Sequence, residues 1–446
     1  MDPPPYSFRN ALLSVYQSAV REIGALRGDA AHSAALSRTA AQVAAAKVTG
    51  MHIPATPPPS SVGDLWVCAR LGLEYLEARL RGDPVAIDRL RSQLIGSPCD
   101  PGWATTLDAY VGYFGPDGAR RAIPYVTPAQ VGDRVIPVAA DSKLALISDW
   151  GTGSLAAHAL LQRVAAERPD ILIHLGDIYY SGTARECDQH FLHVIEAVLG
   201  PAAQRVPCFT LSGNHDMYSG GMGYYGLLDR LNGGPMRQGA SFFCLRSTDG
   251  AWQVLAMDTG LHDHDPFDET DAETFLAPSE EAWHVARIRE FPGRTILLSH
   301  HPLFSAFRQI GRRGADGSLS PVNAPLLASL RRFQAAGRVA AWFWGHEHNL
   351  CVYRPYAGLE RGRCVGNGAI PVFVRDAPYG VLDGVRDPPA LIDGTELGND
   401  GTVMAHGFTT VTLGPAARAE YFEAGRTTPL YAERLGPAPD VGPVQA

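Results

Sequence analysis

Seven side chains able to bind metals stand at or just after the ends of short apolar segments. They comprise two carboxylates, one phenol, one amide and three imidazoles: Asp149, Asp177, Tyr180, Asn214, His300, His346 and His348. Oxygen and nitrogen donors without thiolates suit borderline or hard metals such as iron, zinc and manganese. Seven donors exceed the three or four protein ligands that one tetrahedral ion takes. Two ions about 3.5–4 Å apart that share a carboxylate would use the whole set.

The apolar segments predict the strands that must bring these residues together. Five of them end in the polar motifs, and they cover residues 144–148, 171–175, 206–211, 296–298 and 339–344. Continuous apolar strands that alternate with helices are typical of a sheet covered on both faces. Ligands of such sheets bind beyond the carboxyl ends of the strands. We therefore expect the seven residues to meet at one edge of the sheet.

Each of these residues has a simpler explanation when it is taken alone. The two aspartates could cap helices, Asn214 could belong to a turn, and His300 and His301 could be hydrogen-bonded core histidines. The spacing of His346 and His348 puts both rings on one side of an extended segment, but chance produces this pattern often. A metal centre is favoured because all five motifs follow predicted strands.

Five motifs of the sequence resemble those of the calcineurin-like metallophosphoesterases. They are Asp149-x-Gly151, Gly176-Asp177-x-x-Tyr180, Gly213-Asn214-His215-Asp216, Leu297-x-x-His300 and Gly345-His346-x-His348. The resemblance is nearest to the purple acid phosphatase branch in two respects. Gly151 stands where cyclic-nucleotide and protein phosphatases of the superfamily carry a ligand histidine. Tyr180 stands where purple acid phosphatases have a tyrosinate ligand.

We expect an α/β fold, a four-layer α/β/β/α sandwich with a mostly helical N-terminal accessory region. The resemblance covers roughly residues 143–370, and we expect the metallophosphoesterase domain to span residues 136–446. Residues 408–413 and 419–423 alternate like antiparallel strands and are expected to complete a second sheet.

The resemblance also implies which residues hold which metal. The first ion would be bound by Asp149, Tyr180 and His348, the second by Asn214, His300 and His346, with Asp177 bridging the two. A phenolate favours Fe(III), so the implied cofactor is a pair of metal ions, Fe(III) plus a divalent Fe, Zn or Mn. The alternative for Tyr180 is a packed aromatic residue beside the site.

The expected reaction is the metal-assisted hydrolysis of a phosphate ester. His215 is the candidate general acid with Asp216 orienting it, since an imidazole backed by a carboxylate exchanges protons near neutrality. The alternative is that His215 only caps its turn. His301 contacts either the substrate or a neighbouring ligand. Substrate binding is also predicted for three residues in the loops after the third and fourth motifs, Tyr224, Arg308 and Arg312.

Two other histidine-containing segments are interpreted as lying outside the metal centre. His174 stands inside an apolar strand and is expected to be buried and hydrogen-bonded. The segment His262-Asp263-His264-Asp265 has the composition of a metal cluster, but a solvated loop at the rim of the site is the simpler interpretation.

Three functions are therefore open. The first is a phosphomonoesterase of purple acid phosphatase type, and the second is a phosphodiesterase acting on a nucleotide or lipid head group. The third is a catalytically silent metal-binding sensor or interaction protein. Gly151 in place of histidine argues mildly against the diesterase. All expected ligands are present, so the sequence gives no support to a loss of activity.

The N-terminal part, residues 1–135, is expected to be a mostly helical accessory region. Apolar residues at helical spacing predict helices over residues 8–50 and 62–95. Prolines within residues 54–59 form a linker between them. Residues 96–135 are rich in glycine and proline and have only weak periodicity.

The net charge and the composition limit the classes of partner that are expected for the protein. A net charge of −8 over 446 residues argues against a nucleic-acid-binding surface, so the expected partner is a small-molecule phosphate ester. Seven scattered cysteines without a CxxC pair predict neither a disulfide framework nor a zinc ribbon. The N-terminus does not resemble a signal peptide and no apolar run is long enough for a membrane span, so a cytoplasmic protein is expected. The oligomeric state is left open.

Overall fold

A computed structural model describes residues 7–436 of the chain, apart from 9, 27–28, 50–62, 96–98, 100–101, 115–122, 202–204, 264–272 and 312. Its first part contains the helices α1 (Ala11–Leu26), α2 (Ala30–Val48), α3 (Gly63–Arg81), α4 (Pro84–Ile95) and α5 (Gly102–Phe114). Their apolar faces share one core, in which Tyr16, Leu36 and Leu76 are almost completely buried. This helical bundle agrees with the helical accessory region that the sequence predicts.

The two predicted helices are each divided in the structure, and α3 and α4 take the place of the helix expected over residues 62–95. The helix expected over residues 8–50 is two helices, because the carboxylate of Asp29 accepts hydrogen bonds from the N–H groups of Ala31 and His32 and so starts a new helix. Residues 96–135 contain α5, whose Trp103 and Leu107 are buried one turn apart. The proline linker lies outside the described residues, and the domain boundary at residue 135 stays a proposal.

Cys68 on α3 and Cys99 form a disulfide bond. The other cysteines, Cys187, Cys208, Cys244, Cys351 and Cys364, are free and buried. The chain therefore has a single bridge rather than a framework. Cys68 and Cys99 are 31 residues apart in sequence, and only the fold brings them within bonding distance.

The strands of the second part form two sheets. In chain order they are β1 (Ile136–Val138), β2 (Lys143–Ile147), β3 (Ile171–His174), β4 (Cys208–Thr210), β5 (Phe243–Ser247), β6 (Trp252–Ala256), β7 (Arg294–Leu298), β8 (Arg338–Trp344), β9 (Leu350–Val352), β10 (Gly362–Val365), β11 (Gly407–Thr412), β12 (Arg418–Glu423) and β13 (Tyr431–Arg434). Sheet I has the order β1-β5-β6-β7-β8-β10-β9, and sheet II has the order β13-β12-β11-β2-β3-β4.

The five predicted strands are therefore divided between two sheets rather than shared by one. In sheet II, β2, β3 and β4 are parallel, whereas β7 and β8 are parallel neighbours in sheet I. The C-terminal strands complete a second sheet, as predicted, because β11 pairs antiparallel with β2 and extends sheet II.

Helices cover the outer faces of both sheets. Those after α5 are α6 (Pro128–Val131), α7 (Leu155–Ala166), α8 (Ala184–Glu186), α9 (His193–Leu199), α10 (Asn214–Met217), α11 (Met222–Leu231), α12 (Pro278–Arg289) and α13 (Ala324–Ala336). Side chains alternate between the two faces of each strand. Leu144 and Leu146 of β2 face the core between the sheets, whereas Ala145 and Ile147 pack in the outer core with α7 and α9.

Sheet I shows the same alternation. Ile296 and Leu298 of β7 lie in the core between the sheets, and Leu297 packs outward with residues of α12 and α13. The layers are thus α/β/β/α, as the sequence predicts. No helix among the described residues is both long and apolar enough to cross a membrane. The carboxyl ends of β2, β3, β4, β7 and β8 carry the motifs of the candidate site.

Candidate metal centre

The first group of donors comes from the ends of β2, β3 and β8. Asp149, Asp177 and His348 direct ligand atoms to within 4.8 Å of one another, and Nε2 of His348 lies 3.3 Å from Oδ1 of Asp149. Both aspartates are almost completely buried. Burial alone would raise the pKa of Asp177, but His300 and His215 hold this pKa well below its usual range. The Asp177 carboxylate is therefore an anion.

A phenol stands among these three residues, and it belongs to Tyr179. Its hydroxyl lies 3.0 Å from Oδ1 of Asp149, from Oδ2 of Asp177 and from Nε2 of His348. The backbone of Tyr180, the predicted ligand, makes two hydrogen bonds: its N–H donates to Glu186 and its carbonyl accepts from His215. The geometry thus points to Tyr179 as the phenol ligand, and a ligand role of the Tyr180 side chain stays a prediction.

The second group of donors comes from the ends of β4, β7 and β8. Oδ1 of Asn214 lies 3.1 Å from Nε2 of His300 and 3.1 Å from Nδ1 of His346, and these two nitrogens are 3.2 Å apart. Nδ1 of His300 donates a hydrogen bond to the carbonyl of Leu175 at 2.9 Å. That bond leaves Nε2 as the nitrogen of His300 that would bind a metal ion.

Asp177 connects the two groups. Its Oδ2 contacts the Tyr179 hydroxyl in the first group and lies 3.4 Å from Nε2 of His300 in the second. The backbone of Gly213 passes so close to the Asp177 carboxylate that a Cβ at position 213 would collide with Oδ1. Asp177 therefore lies between the two groups, and its role as a bridging ligand stays a prediction.

The spacing of these donors fits the coordination of metal ions. Neighbouring donor atoms are 3.0–3.4 Å apart. Ligands about 2.0–2.2 Å from a tetrahedral or octahedral ion are separated by roughly 3–3.5 Å. The single hydroxyl proton of Tyr179 can also be donated to only one of its three neighbours. A cation would satisfy the others, so the residues present suit a pair of metal ions.

The backbone at the site is strained where the ligands stand. Four of the candidate ligands have positive φ angles although none is a glycine: Asp149 (53°), Asp177 (76°), His346 (72°) and His348 (55°). Each such conformation costs about 1–3 kcal/mol and is commonly retained at functional sites. The sheet ends therefore hold the donors in positions that the local backbone disfavours.

His215 faces the centre, but Asp216 does not orient it. Nδ1 of His215 donates to the Tyr180 carbonyl at 2.6 Å, and its Nε2 lies 3.9 Å from Oδ2 of Asp177. Burial lowers the pKa of His215. The carboxylate of Asp216 instead accepts from the backbone N–H groups of Asp177, Ile178 and Gly213. Asp216 therefore holds the loops after β3 and β4, which corrects its predicted role.

His301 lies beside the second donor group. Its ring centroid is 4.7 Å from that of His346, and its Nε2 lies 2.8 Å from Oδ2 of Asp263. Asp263, part of the segment expected at the rim of the site, therefore contacts the candidate site through His301. His262 stacks on Phe275. His264 and Asp265 lie outside the described residues.

The structure bears differently on the three residues predicted to bind substrate. Tyr224 is completely buried and its hydroxyl donates to the carbonyl of Thr210, so it is a core residue rather than a substrate contact. Arg308 is half-buried and its role stays a prediction. Arg312 lies outside the described residues. His174 is buried with Nδ1 at 3.0 Å from the Thr210 hydroxyl, which confirms its expected place in the core.

Residues 142–350 match the family model of the calcineurin-like phosphoesterases. No curated protein matches the sequence at a significant level. Among solved structures, GAP50, the anchor in the inner membrane complex of Plasmodium, is 12% identical with a TM-score of 0.42, over 66% of this chain and 88% of that one.

Two further solved structures are similar to the chain. Purple acid phosphatase PPD1 from yellow lupin (Lupinus luteus) seeds is 17% identical with a TM-score of 0.40, over 66% of this chain and 53% of that one. A metallophosphoesterase from Sphaerobacter thermophilus is 15% identical with a TM-score of 0.22, over 64% of this chain and 84% of that one.

Proposed function

We propose that this chain, whose residues 142–350 form a calcineurin-like phosphoesterase domain, hydrolyses phosphate monoesters at a dinuclear metal centre. The family match indicates metal-dependent hydrolysis of phosphate esters, and the preference for monoesters is our proposal. The proposal of a dinuclear metal centre rests on the position of Asp177, whose Oδ2 contacts donors of both groups.

The residues divide between two ions. Asp149, Tyr179 and His348 would hold the first, Asn214, His300 and His346 the second, and Asp177 would bridge them. When bound, the ions would supply Lewis-acid stabilisation and a water of lowered pKa. We propose Fe(III) plus a divalent Fe, Zn or Mn, since a phenolate from Tyr179 is a hard anionic ligand.

His215 is the residue placed to exchange a proton. Because its Nδ1–H is engaged by the Tyr180 carbonyl, the free lone pair is on Nε2, directed toward Asp177. Burial lowers the pKa of His215, so at pH 7 the imidazole is mainly in the neutral form, which can accept a proton at Nε2 and has none to donate there. We therefore propose His215 as a proton acceptor for the attacking water, in place of the general acid that the sequence favours.

The monoester preference rests on Gly151. This residue bridges to Ile178 in parallel fashion, and a Cβ at position 151 would lie 2.9 Å from the Cα of Ile178. No side chain fits there without moving the backbone that carries Asp177. A ligand histidine at this position, as in the cyclic-nucleotide and protein phosphatases, is therefore excluded by packing, which supports the purple acid phosphatase-like assignment.

Hydrolysis of p-nitrophenyl phosphate and of bis(p-nitrophenyl) phosphate by the metal-loaded protein tests the proposal. We expect kcat/KM to be larger for the monoester. A larger value for the diester would establish the phosphodiesterase alternative. Two bound ions without turnover of either compound would instead establish the silent metal-binding protein.

A further inference from the structure

Glu186 is a buried carboxylate that holds the loop following Asp177. It accepts three backbone N–H groups and one hydroxyl, at 2.7–3.2 Å, from Tyr180, Ser181 and Thr183. Tyr179 immediately precedes these residues. The carboxylate therefore fixes the backbone that directs the Tyr179 phenol to the first donor group.

The first helix of the chain completes this arrangement. The hydroxyl of Ser18 on α1 donates to Oε1 of Glu186 at 2.7 Å and lies 2.7 Å from the hydroxyl of Ser181. Since a carboxylate only accepts, Ser181 donates to Ser18, which donates to Glu186. All three side chains are buried. The loop that carries Tyr179 is thus tied to a helix 163 residues earlier in the sequence.

The second donor group is tied to the same helices through Tyr218. The ring of Tyr218 is 2% exposed and packs in the core shared by α1, α3 and α5. Its hydroxyl accepts a hydrogen bond from Nδ2 of Asn214 at 2.5 Å. The two ends of an amide have nearly the same shape, so this bond decides that Oδ1 faces His300 and His346. Without the hydroxyl, the amide can rotate and present its NH2 group, which is a poor ligand.

We infer that the helices of residues 11–114 position the metal centre through these two contacts. Ser18 supports the loop that carries Tyr179, and Tyr218 orients the side-chain amide of Asn214. Both are positioning residues, because neither belongs to the donor groups. The inference rests on the proposed metal centre and extends it, since it gives a function to helices that contribute no ligand. Removal of groups that orient metal ligands commonly weakens metal binding by about 10–100-fold.

The test is zinc binding by the full-length protein, measured in competition with a chromophoric chelator well below the unfolding temperature. Ser18→Ala and Tyr218→Phe each remove one hydroxyl from the proposed contacts. Ser14→Ala and Tyr16→Phe are matched controls: they remove hydroxyls of the same helix that donate to the carbonyls of Phe8 and Ala69.

We expect Ser18→Ala and Tyr218→Phe each to weaken one of the two zinc sites by about tenfold or more. Both controls should lower the unfolding temperature without changing zinc affinity. If the wild type binds two ions and the test variants bind them equally tightly, or if the controls weaken binding as much, the inference is wrong. If the wild type binds no zinc, the proposed metal centre is wrong as well.

Discussion

Nε2 of His300 lies 3.4 Å from Oδ2 of Asp177, across the boundary between the two donor groups. His300 follows β7 of sheet I, whereas Asp177 follows β3 of sheet II. The contact exists only because the two sheets pack face to face with the carboxyl ends of these strands at the same edge. The candidate metal centre is therefore a property of the sandwich and not of either sheet alone.

The position of Asp177 predicts the effect of Asp177→Asn. An amide keeps the size of the side chain but loses the anion that both groups share. We expect activity toward p-nitrophenyl phosphate to fall by more than about 100-fold, since even residues behind the ligands commonly contribute 10–100-fold. Elemental analysis should show fewer than two ions per chain. The exposed Asp141, changed to Asn, is the control and should leave both quantities unaltered. Retained activity with two bound ions would exclude Asp177 as the bridge.

The two neighbouring tyrosines predict different spectra. In the iron-loaded, oxidised protein, a phenolate ligand gives a visible charge-transfer band that colours the solution violet or pink. Because the Tyr179 hydroxyl is the one within 3.0 Å of Asp149 and His348, Tyr179→Phe should abolish the band and Tyr180→Phe should preserve it. The reverse result would restore Tyr180 as the ligand, and a band that survives both changes would mean that no tyrosine binds iron.

The sequence was sufficient to find most of the site because its residues stand at strand ends. Asp149, Asp177 and the three histidines each follow an apolar run, and parallel strands bring such ends together. The choice between Tyr179 and Tyr180 depends on which direction the backbone turns after Asp177, and no residue pattern records that direction.

Contacts between distant segments likewise could not be predicted from the sequence. His215 and Asp216 are adjacent, yet the acceptor for His215 is the Tyr180 carbonyl, 35 residues earlier. Glu186 did leave a signal, because Thr183-x-x-Glu186 has the spacing of a capping box, which the structure contains. That pattern predicts a helix start but not the bond from Ser18.

The close approach of Gly151 to Ile178 predicts a large effect of a small substitution. Gly151→Ala places a Cβ 2.9 Å from the Ile178 backbone, and overpacking of this kind costs about 1–3 kcal/mol. We expect lower stability in urea and reduced metal content. Gly226→Ala is the matched control: the position is exposed on α11 with open space around it, so the change should stabilise the helix by about 0.5–1 kcal/mol. Equal stability of the two variants would show that position 151 has room for a side chain.

The Cys68–Cys99 bond predicts a stability that depends on redox conditions. A bridge across 31 residues restricts the unfolded chain, and such bonds contribute about 2–4 kcal/mol. Thiol reductant should therefore lower the unfolding temperature of the wild type. The double variant Cys68→Ala with Cys99→Ala should start at the lower value and show no response to reductant. A wild type that is insensitive to reductant while its thiols are titrated as free would disprove the contribution of the bond.

His284 predicts a loss of stability in acid that is separate from the metal centre. Its side chain is completely buried, and burial lowers its pKa from 6.5 to about 3. Below pH 6.5 the unfolded chain binds a proton at His284 that the folded protein does not, so stability falls as the pH falls from 6.5 toward 3. At pH 5 the loss is about 2 kcal/mol, from roughly 1.4 kcal/mol per pH unit. Burial also raises the pKa of the neighbouring Glu280, but Glu280 is present in both the wild type and the variant His284→Gln. The free energy of unfolding should therefore drop by about 2 kcal/mol less in His284→Gln than in the wild type between pH 7 and pH 5. Equal drops in metal-free samples would mean that His284 titrates normally in the folded protein.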